Sequence, residues 1–553
     1  MGNGDVVFGF ADSGPLVRRR GGMLIVMRDS GSRELTRTPG QYPDRVDARL
    51  LRIGAVCLLA SMMAGLDATI VAVAQRTFVE EFHSSQAVVG WTVVGYILGL
   101  ATVTPMTGWA TDRFGAKRVF IGSVLAFTLG SLLCAMAPNI LLLIVFRTIQ
   151  GIGGGPLMPL TLTIMLREAG PNRLGRVLAL GAIPMLLAPI SGPTLGGWLI
   201  RSFGWEWLFL INLPVGVLTV VLAAILFPRD QSTRLERFDF VGMLLLSPGV
   251  TALLYGLSEI PGRGAVTDRH VWIPVIAGLA LIAAFVRHAL HRADHPLIDI
   301  RLLKNRAVGL ANTAMLVYVI GGSVGLLVPS YFQQLMHLTP LQTGLHMIPA
   351  GLGAMLTMPL AGTFMDKFGP GKIVLVGLIL VVTGLGVFTY GVAIQAAYSP
   401  TLLVAMVITG MGSGCTMLPL SGSAVLTLES DQLARGSTLI TVNQMLAGSV
   451  GAALMSVLLT NQFNRSENIA AANTVAILQR QAAETGLPVD ETAIPQLTLG
   501  PDFVAALQRD LSAAYTTVFL VAVVLVALTF IPAAFLPKKP TGRSANELAR
   551  PTA

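Results

Sequence analysis

The chain has 553 residues, 53% of them hydrophobic and only 12% charged, with a mean hydropathy of +0.70. Soluble domains carry about 25% charged residues, so a conventional soluble enzyme is excluded, and so are disorder and collagen, because the 59 Gly and 31 Pro are spread through apolar runs without a triplet period. The 38 Lys and Arg against 29 Asp and Glu give a net charge of +9, which in a soluble protein would point to nucleic acid and here needs a reading by position.

Residues 1–52 read as a disordered, Arg-rich cytoplasmic tail, with Met1, Met23 and Met27 all open as starts. No apolar stretch in it ends at a small-residue cleavage site, and Val6 stands where a myristoylation signal carries Ser or Thr. A helix that crosses a bilayer needs roughly 20 apolar residues. Such runs are predicted at 53–74, 90–109, 119–137, 140–166, 177–200, 208–227 and 240–257, and again at 271–290, 307–328, 344–364, 373–394, 402–426, 437–459 and 513–536. They are too long for barrel strands and do not alternate, so fourteen transmembrane helices are the reading. Cys57, Cys134 and Cys415 fall within these runs and suggest no disulfide framework.

With the N-terminus placed inside, 30 of the 38 basic residues fall in inner loops and tails and 7 in outer loops; the remaining one, Arg147, lies within a run. Positive charge marks cytoplasmic loops, so both termini are expected in the cytoplasm and no nucleic-acid partner is expected. The basic residues are 32 Arg and 6 Lys, a composition that hints at a GC-rich bacterial genome.

The loop Gly108-Trp-Ala-Thr-Asp112-Arg113-Phe-Gly115-Ala-Lys117-Arg118 recurs 254 residues later as Gly362-Thr-Phe-Met-Asp366-Lys367-Phe-Gly369-Pro-Gly-Lys372. Gly151-Ile-Gly153-Gly-Gly155 is echoed by Gly410-Met-Gly412-Ser-Gly414. Spans one to six therefore match spans nine to fourteen, and seven and eight are inserted. The expected organisation is all-α: an N-terminal six-helix bundle over 53–227, two inserted transmembrane helices with their loops over 228–306, a parallel-repeat six-helix bundle over 307–536 that includes the outer loop 460–512, and a cytoplasmic tail over 537–553. Parallel repeats about an axis along the membrane normal are a mark of secondary transporters, which hold cargo between the halves near the midplane.

These motifs resemble the major facilitator superfamily, fourteen-span drug/proton antiporter branch. The 108–118 loop is similar to its signature loop and Arg147-Thr-Ile-Gln150-Gly151 to its fourth-span motif. Ala188-Pro-Ile-Ser-Gly192-Pro193-Thr-Leu-Gly196-Gly197 resembles the antiporter motif of the fifth span; Leu66-Asp67-Ala-Thr69-Ile-Val71 resembles the first-span motif, and Trp205-Glu-Trp207-Leu-Phe209-Leu-Ile-Asn212-Leu-Pro214 the opening of the sixth. The resemblance covers essentially 50–537 and implies proton-driven export of lipophilic or cationic drugs by alternating access, in a bacterial inner membrane, without a cofactor or metal. Two departures bear on cargo: Ala72-Val-Ala-Gln-Arg76 replaces the usual continuation of the first-span motif, and Glu206 replaces a basic residue between two tryptophans.

Asp67 is the acid that lies well inside an apolar run, and an intramembrane carboxylate is a functional candidate by default. At 1.5 Å per residue, Asp67 and Arg147 both sit roughly 10–15 Å below the outer surface, so they are expected to pair as a proton-coupling site; a static ion pair is the alternative. The position that matches Arg147 in the second half is Met406, as a one-sided site requires. Gly108, Asp112, Arg113, Gly115, Lys117 and Arg118 are expected to form a conformational latch, with Asp112 paired to the nearby bases. Gly192, Pro193, Gly196 and Gly197 are expected to act as a hinge or leak seal. Gln150, Asn312, Tyr318, Asn443 and Gln444 are candidate cavity polar groups, and His346 lies near the outer surface. The outer loop 460–512 carries six acids and three Arg and is a candidate docking site for a periplasmic partner, or a solvated linker with a short amphipathic helix. The expected partners are otherwise a small lipophilic substrate, protons and the bilayer. Competing readings keep the fold and change the cargo to a lipid, siderophore or metabolite, or make the chain an embedded enzyme or channel. Against an enzyme, no HExxH, GxSxG or phosphate loop is present.

Overall fold

A computed structural model describes residues 16–20, 23–27, 48–84, 86–169, 183–228, 230, 238–259, 268–291, 296–425, 428, 432–485, 495, 498 and 502–537. The chain divides into two units, Met1–Pro43 and Asp44–Ala553. In the first, where an irregular tail is expected, Leu16–Arg20 pairs antiparallel with Met23–Met27, Leu16 opposite Met27 and Arg20 opposite Met23. In sequence the two strands, LVRRR and MLIVM, flank a Gly-Gly dipeptide, which is a short-range hairpin signal.

The second unit is helical. In chain order its long helices are α1 (Ala48–Val73), α2 (Gln86–Val103), α3 (Ala116–Ala135), α4 (Ile140–Gly154), α5 (Ile183–Phe203), α6 (Asn212–Leu226), α7 (Phe240–Ser258) and α8 (Arg269–His291). They continue with α9 (Arg306–Gly322), α10 (Pro340–Phe368), α11 (Pro370–Ala393), α12 (Leu403–Val425), α13 (Leu433–Arg465), α14 (Glu467–Thr485) and α15 (Phe503–Leu528). Shorter helices extend some of these, notably Thr107–Phe114 after α2 and Leu157–Ala169 after α4. Among the described residues, thirteen helices are long and apolar enough to cross a membrane, and they coincide with thirteen of the fourteen predicted runs. The fifth run begins among residues 177–182, which lie outside the described residues, and its described part is α5.

The ends follow from local chemistry. Gly115 and Gly369 start α3 and α11 at φ of 90° and 84°, a region that disfavours any side chain, so both copies of the repeated loop turn on the same residue type. Asn139 caps α4 by accepting from the Leu142 amide at 2.9 Å, and Thr339 and Gln342 form a capping box at α10.

Close packing uses the glycines of the second sequence echo. A side chain at Gly151 or Gly155 would meet the carbonyl oxygens of Tyr96 and Leu100 on α2, and one at Gly153 would meet the Phe127 amide on α3. A side chain at Gly410, Gly414 or Gly412 would meet the carbonyls of Ala350 and Ala354 on α10 and the Val381 amide on α11. Each of these partners lies 254 residues beyond its counterpart in the first half, the offset of the repeated loop.

The inserted helices α7 and α8 pack on each other, with Gly249, Gly256 and Gly278 bringing their backbones close. The first of the pair also reaches both bundles: Thr102 of α2 shares a 3.0 Å hydrogen bond with Thr251, and Ala101, Leu246, Val250 and Val442 share one apolar cluster. Within the segment 460–512, expected as an outer loop, α14 occupies 19 residues, and Ser466 Oγ just before it and Asn468 Nδ2 on it donate to Asp510 of α15 at 2.6 and 2.9 Å.

Candidate functional site

Within the first bundle the apolar core is split. One cluster contains Ala60, Met63, Phe127, Leu157 and Ala223; the other contains Ile70, Val71, Cys134, Leu143 and Phe209. Between them lies a polar layer built by α1, α2, α3, α4 and α6, because each of these helices carries a polar residue at that level: Asp67, Thr92, Ser131, Arg147 with Gln150, and Asn212. All six are buried.

Asp67 and Arg147 meet as predicted: Arg147 Nη1 donates to Asp67 Oδ2 at 2.5 Å, and both side chains are fully buried. The other carboxylate oxygen, Oδ1, accepts from Gln150 Nε2 at 2.9 Å and from Asn212 Nδ2 at 3.0 Å. The same two amides donate to Ser131 Oγ at 3.1 and 3.0 Å, and that hydroxyl donates to the Phe209 carbonyl. Arg147 also donates from Nη1 to Gln150 Oε1 at 2.7 Å and from Nε to the Thr92 carbonyl at 3.1 Å. Its guanidinium carbon lies 4.3 Å from the Tyr96 ring centroid, within cation–π range. The carboxylate thus has three side-chain donors, the satisfaction that a charge needs in a medium without water. Gln150, expected as a cavity group, belongs to this layer. Asn212, Ser131 and Thr92 were not singled out, although Asn212 stands in the quoted sixth-span motif.

Above Asp67, α5 presses on α1 through its glycines. A side chain at Gly192 would collide with Thr69, and one at Gly196 would stand 3.3 Å from Ile70 Cγ2, whereas Gly197 faces open space. Position 193 lies within the continuous helix α5; its side chain lies outside the described residues.

At the other end of the bundle, Asp112 is met by Arg435 Nε of α13 at 3.3 Å and by Arg167 Nη2 at 3.9 Å, both from other helices. The backbone bends at Gly115, so Lys117 and Arg118 start a new helix, where their amides donate to the Asp230 carboxylate at 2.9 and 3.0 Å. Lys117 Nζ donates to the Ala224 and Phe227 carbonyls at 2.6 and 3.0 Å, satisfying the C-terminal end of α6. Arg113 is exposed. A side chain at Gly108 would come within 3.3 Å of the Arg435 Cα, and close by Thr163 and Ser437 share a 2.5 Å hydroxyl–hydroxyl hydrogen bond. The two halves are therefore joined at this end by an ion pair, a glycine contact and a buried hydrogen bond.

The other polar candidates gather in the second half. Asn443 Nδ2 donates to the Asn312 carbonyl at 2.9 Å, Gln444 Nε2 lies 3.4 Å from Met315 Sδ, and Tyr318 is buried one turn further along α9. They form an α9–α13 seam, apart from Gln150. His346 Nδ1 pairs with the Gln342 carbonyl at 2.8 Å, and its ring stands against Tyr398.

A helical membrane-spanning unit whose helices pack through matched glycines, with a buried carboxylate–guanidinium pair among them, fits a secondary transporter. A sequence profile of the Major Facilitator Superfamily matches residues 57–452, and the chain belongs to that family of membrane transporters, which are not enzymes. It is 60% identical over 500 residues to the "Multidrug resistance protein B homolog" of Mycobacterium tuberculosis, covering 90% of this chain and 92% of that protein. The multidrug export protein EmrB of Escherichia coli K12 is 29% identical over 422 residues, 75% of this chain and 81% of its own. In fold it is similar to the proton:xylose symporter XylE, with a TM-score of 0.55 at 14% identity over 89% of this chain and 97% of that one.

Proposed function

We propose that this protein is a proton-coupled exporter of lipophilic or cationic drugs that works by alternating access across the bacterial inner membrane with both termini in the cytoplasm. The observation that carries the coupling is the Asp67–Arg147 pair with its two amide donors, buried between the two apolar clusters of one bundle. The export direction and drug cargo rest on the relatives' names, foremost the 60% identical "Multidrug resistance protein B homolog"; the orientation rests on the basic inner loops.

With Asp67 ionised, Arg147, Gln150 and Asn212 hold α1 against α4 and α6. A proton on Asp67 removes the charge that Arg147 answers and turns one acceptor oxygen into a donor, so the amides must re-aim and α1 loosens from the layer. Proton binding and helix position are then linked, which is what an exchange of proton for cargo requires. The end bearing Gly108–Arg118 and Arg435 is shut in this structure; it opens when the halves rock apart, and the polar α9–α13 seam then borders the path. The segment 460–512, which contains α14, remains our candidate for contact with a periplasmic partner.

The test uses the purified full chain in liposomes with an imposed pH gradient and ethidium as the lipophilic cation. Uphill ethidium movement with an opposite proton flux, lost in Asp67→Asn, is expected. Gradient-driven transport that persists in Asp67→Asn overturns the coupling role, and proton flux evoked by lipids or siderophores but by no lipophilic cation overturns the cargo.

A further inference from the structure

A groove of about 340 Å³ runs along the outside of the seam between α9 and α15. Thr313, Val317 and Ile320 line one wall, and Leu528 at the end of α15 and Ile531 on the short helix Phe530–Ala534 that follows it stand on the other, 46% and 63% exposed. Side chains exposed at this level of a membrane-spanning bundle face lipid. The α9 wall repeats every three to four residues, so it is one helix face. Seven residues before Thr313, two turns back on that same face, α9 begins with Arg306, which is exposed.

A second base stands beside it. Lys304 ends the 3₁₀ turn Ile300–Lys304 and is exposed. That turn is pressed on the foot of α9, since a Cβ at Gly309 would stand 2.5 Å from the Leu303 carbonyl oxygen. The site is therefore apolar along its length and cationic at one end, with about 10 Å between Arg306 and the first wall residue at 1.5 Å per residue. That is the layout of a phospholipid lying along a helix seam, its phosphate at the interface and its acyl chain in the groove.

We propose that the α9–α15 groove is a binding site for an anionic phospholipid of the leaflet at which α9 begins, with Arg306 and Lys304 holding the headgroup and Val317 against the acyl chain. On the orientation proposed above this is the cytoplasmic leaflet, where basic clusters recruit anionic lipid; the binding itself does not depend on the transport reading.

Delipidated full-length protein is titrated with phosphatidylglycerol or phosphatidylcholine of identical chains and examined by native mass spectrometry. Phosphatidylglycerol is expected to be retained at least about fivefold more than phosphatidylcholine, the ratio that one extra favourable charge contact gives. The pair Arg306→Gln and Lys304→Gln, both at exposed positions, is expected to bring that ratio to about one. Val317→Trp, and Thr313→Trp as a second filling variant at an exposed site, are expected to lower retention of both lipids. Equal retention of the two lipids, an unchanged ratio without the bases, undiminished retention in both filled variants, or a lipid-free dimer that occupies the groove overturns the proposal. None of these outcomes bears on proton-coupled transport, which is read separately in the Asp67→Asn experiment.

Discussion

Asp67 depends on three helices besides its own: α4 supplies Arg147 and Gln150, α6 supplies Asn212, and α3 supplies the Ser131 hydroxyl that keeps both amides aimed. Arg147→Ala leaves the carboxylate buried without its cation, a change that costs about 3–5 kcal/mol in comparable buried pairs. The expected result is a protein that melts earlier than Asp67→Asn in a fluorescence thermal scan, because the latter variant keeps an acceptor for Arg147. Asn212→Leu removes one donor from Asp67 Oδ1 and one from Ser131, and a loss of about 1–3 kcal/mol is expected, measured in the same scan. The pair itself was legible in the sequence because a charge within an apolar run is conspicuous. The rest of the layer was not, and Ser131 shows why: three residues earlier on the same helix Thr128 has a similar hydroxyl, yet it is spent on the Val124 carbonyl of its own helix. Spacing and residue type do not separate a hydroxyl that satisfies its own backbone from one that joins a network.

At the scale of helices, the two bundles share one packing scheme and differ in one layer. The glycines of α4 and α12 approach backbone atoms at matching positions, and that likeness was readable as a repeated motif. The difference is that Ser131, Cys134 and Arg147 are matched in the second half by Leu385, Phe388 and Met406, all buried in a single continuous apolar cluster. Among the described residues the buried ion pair lies in the first bundle alone, and that is the structural argument for a one-sided site. The α5 glycines make a graded test of the contact above it. Gly192→Val drives a side chain into Thr69, two residues from Asp67, and overpacking of this kind costs about 1–3 kcal/mol; lower thermal stability and lost proton-driven transport are expected. Gly197→Ala meets open space, and transport and melting like those of the unaltered protein are expected. Equal damage from both would mean that α5 tolerates no side chain for reasons other than its seam with α1.

For the whole molecule, the relevant quantity is how firmly the halves are held together at the end that carries the repeated loop. Asp112 and Arg435 are partly shielded, with side-chain exposures of 14% and 16%, and Thr163 and Ser437 are buried. None of these cross-half partners was legible in the sequence, since Arg435 and Ser437 sit in no repeated motif and become neighbours of the 108–118 loop only when the bundles dock. If the halves separate here during transport, these contacts break once in every cycle. Cysteines at 163 and 437 then report the motion. The two hydroxyls are in hydrogen-bonding contact, so sulfur atoms at those positions fall within reach of a disulfide without large backbone movement. The native Cys57 and Cys134 are buried and Cys415 is half-buried, and replacing all three by Ala or Ser gives a background in which the new pair alone is oxidised. Oxidation is expected to stop gradient-driven export of ethidium, and a thiol reductant to restore it, while either cysteine alone transports under both conditions. A cross-linked protein that still transports at the full rate would place the moving seam elsewhere.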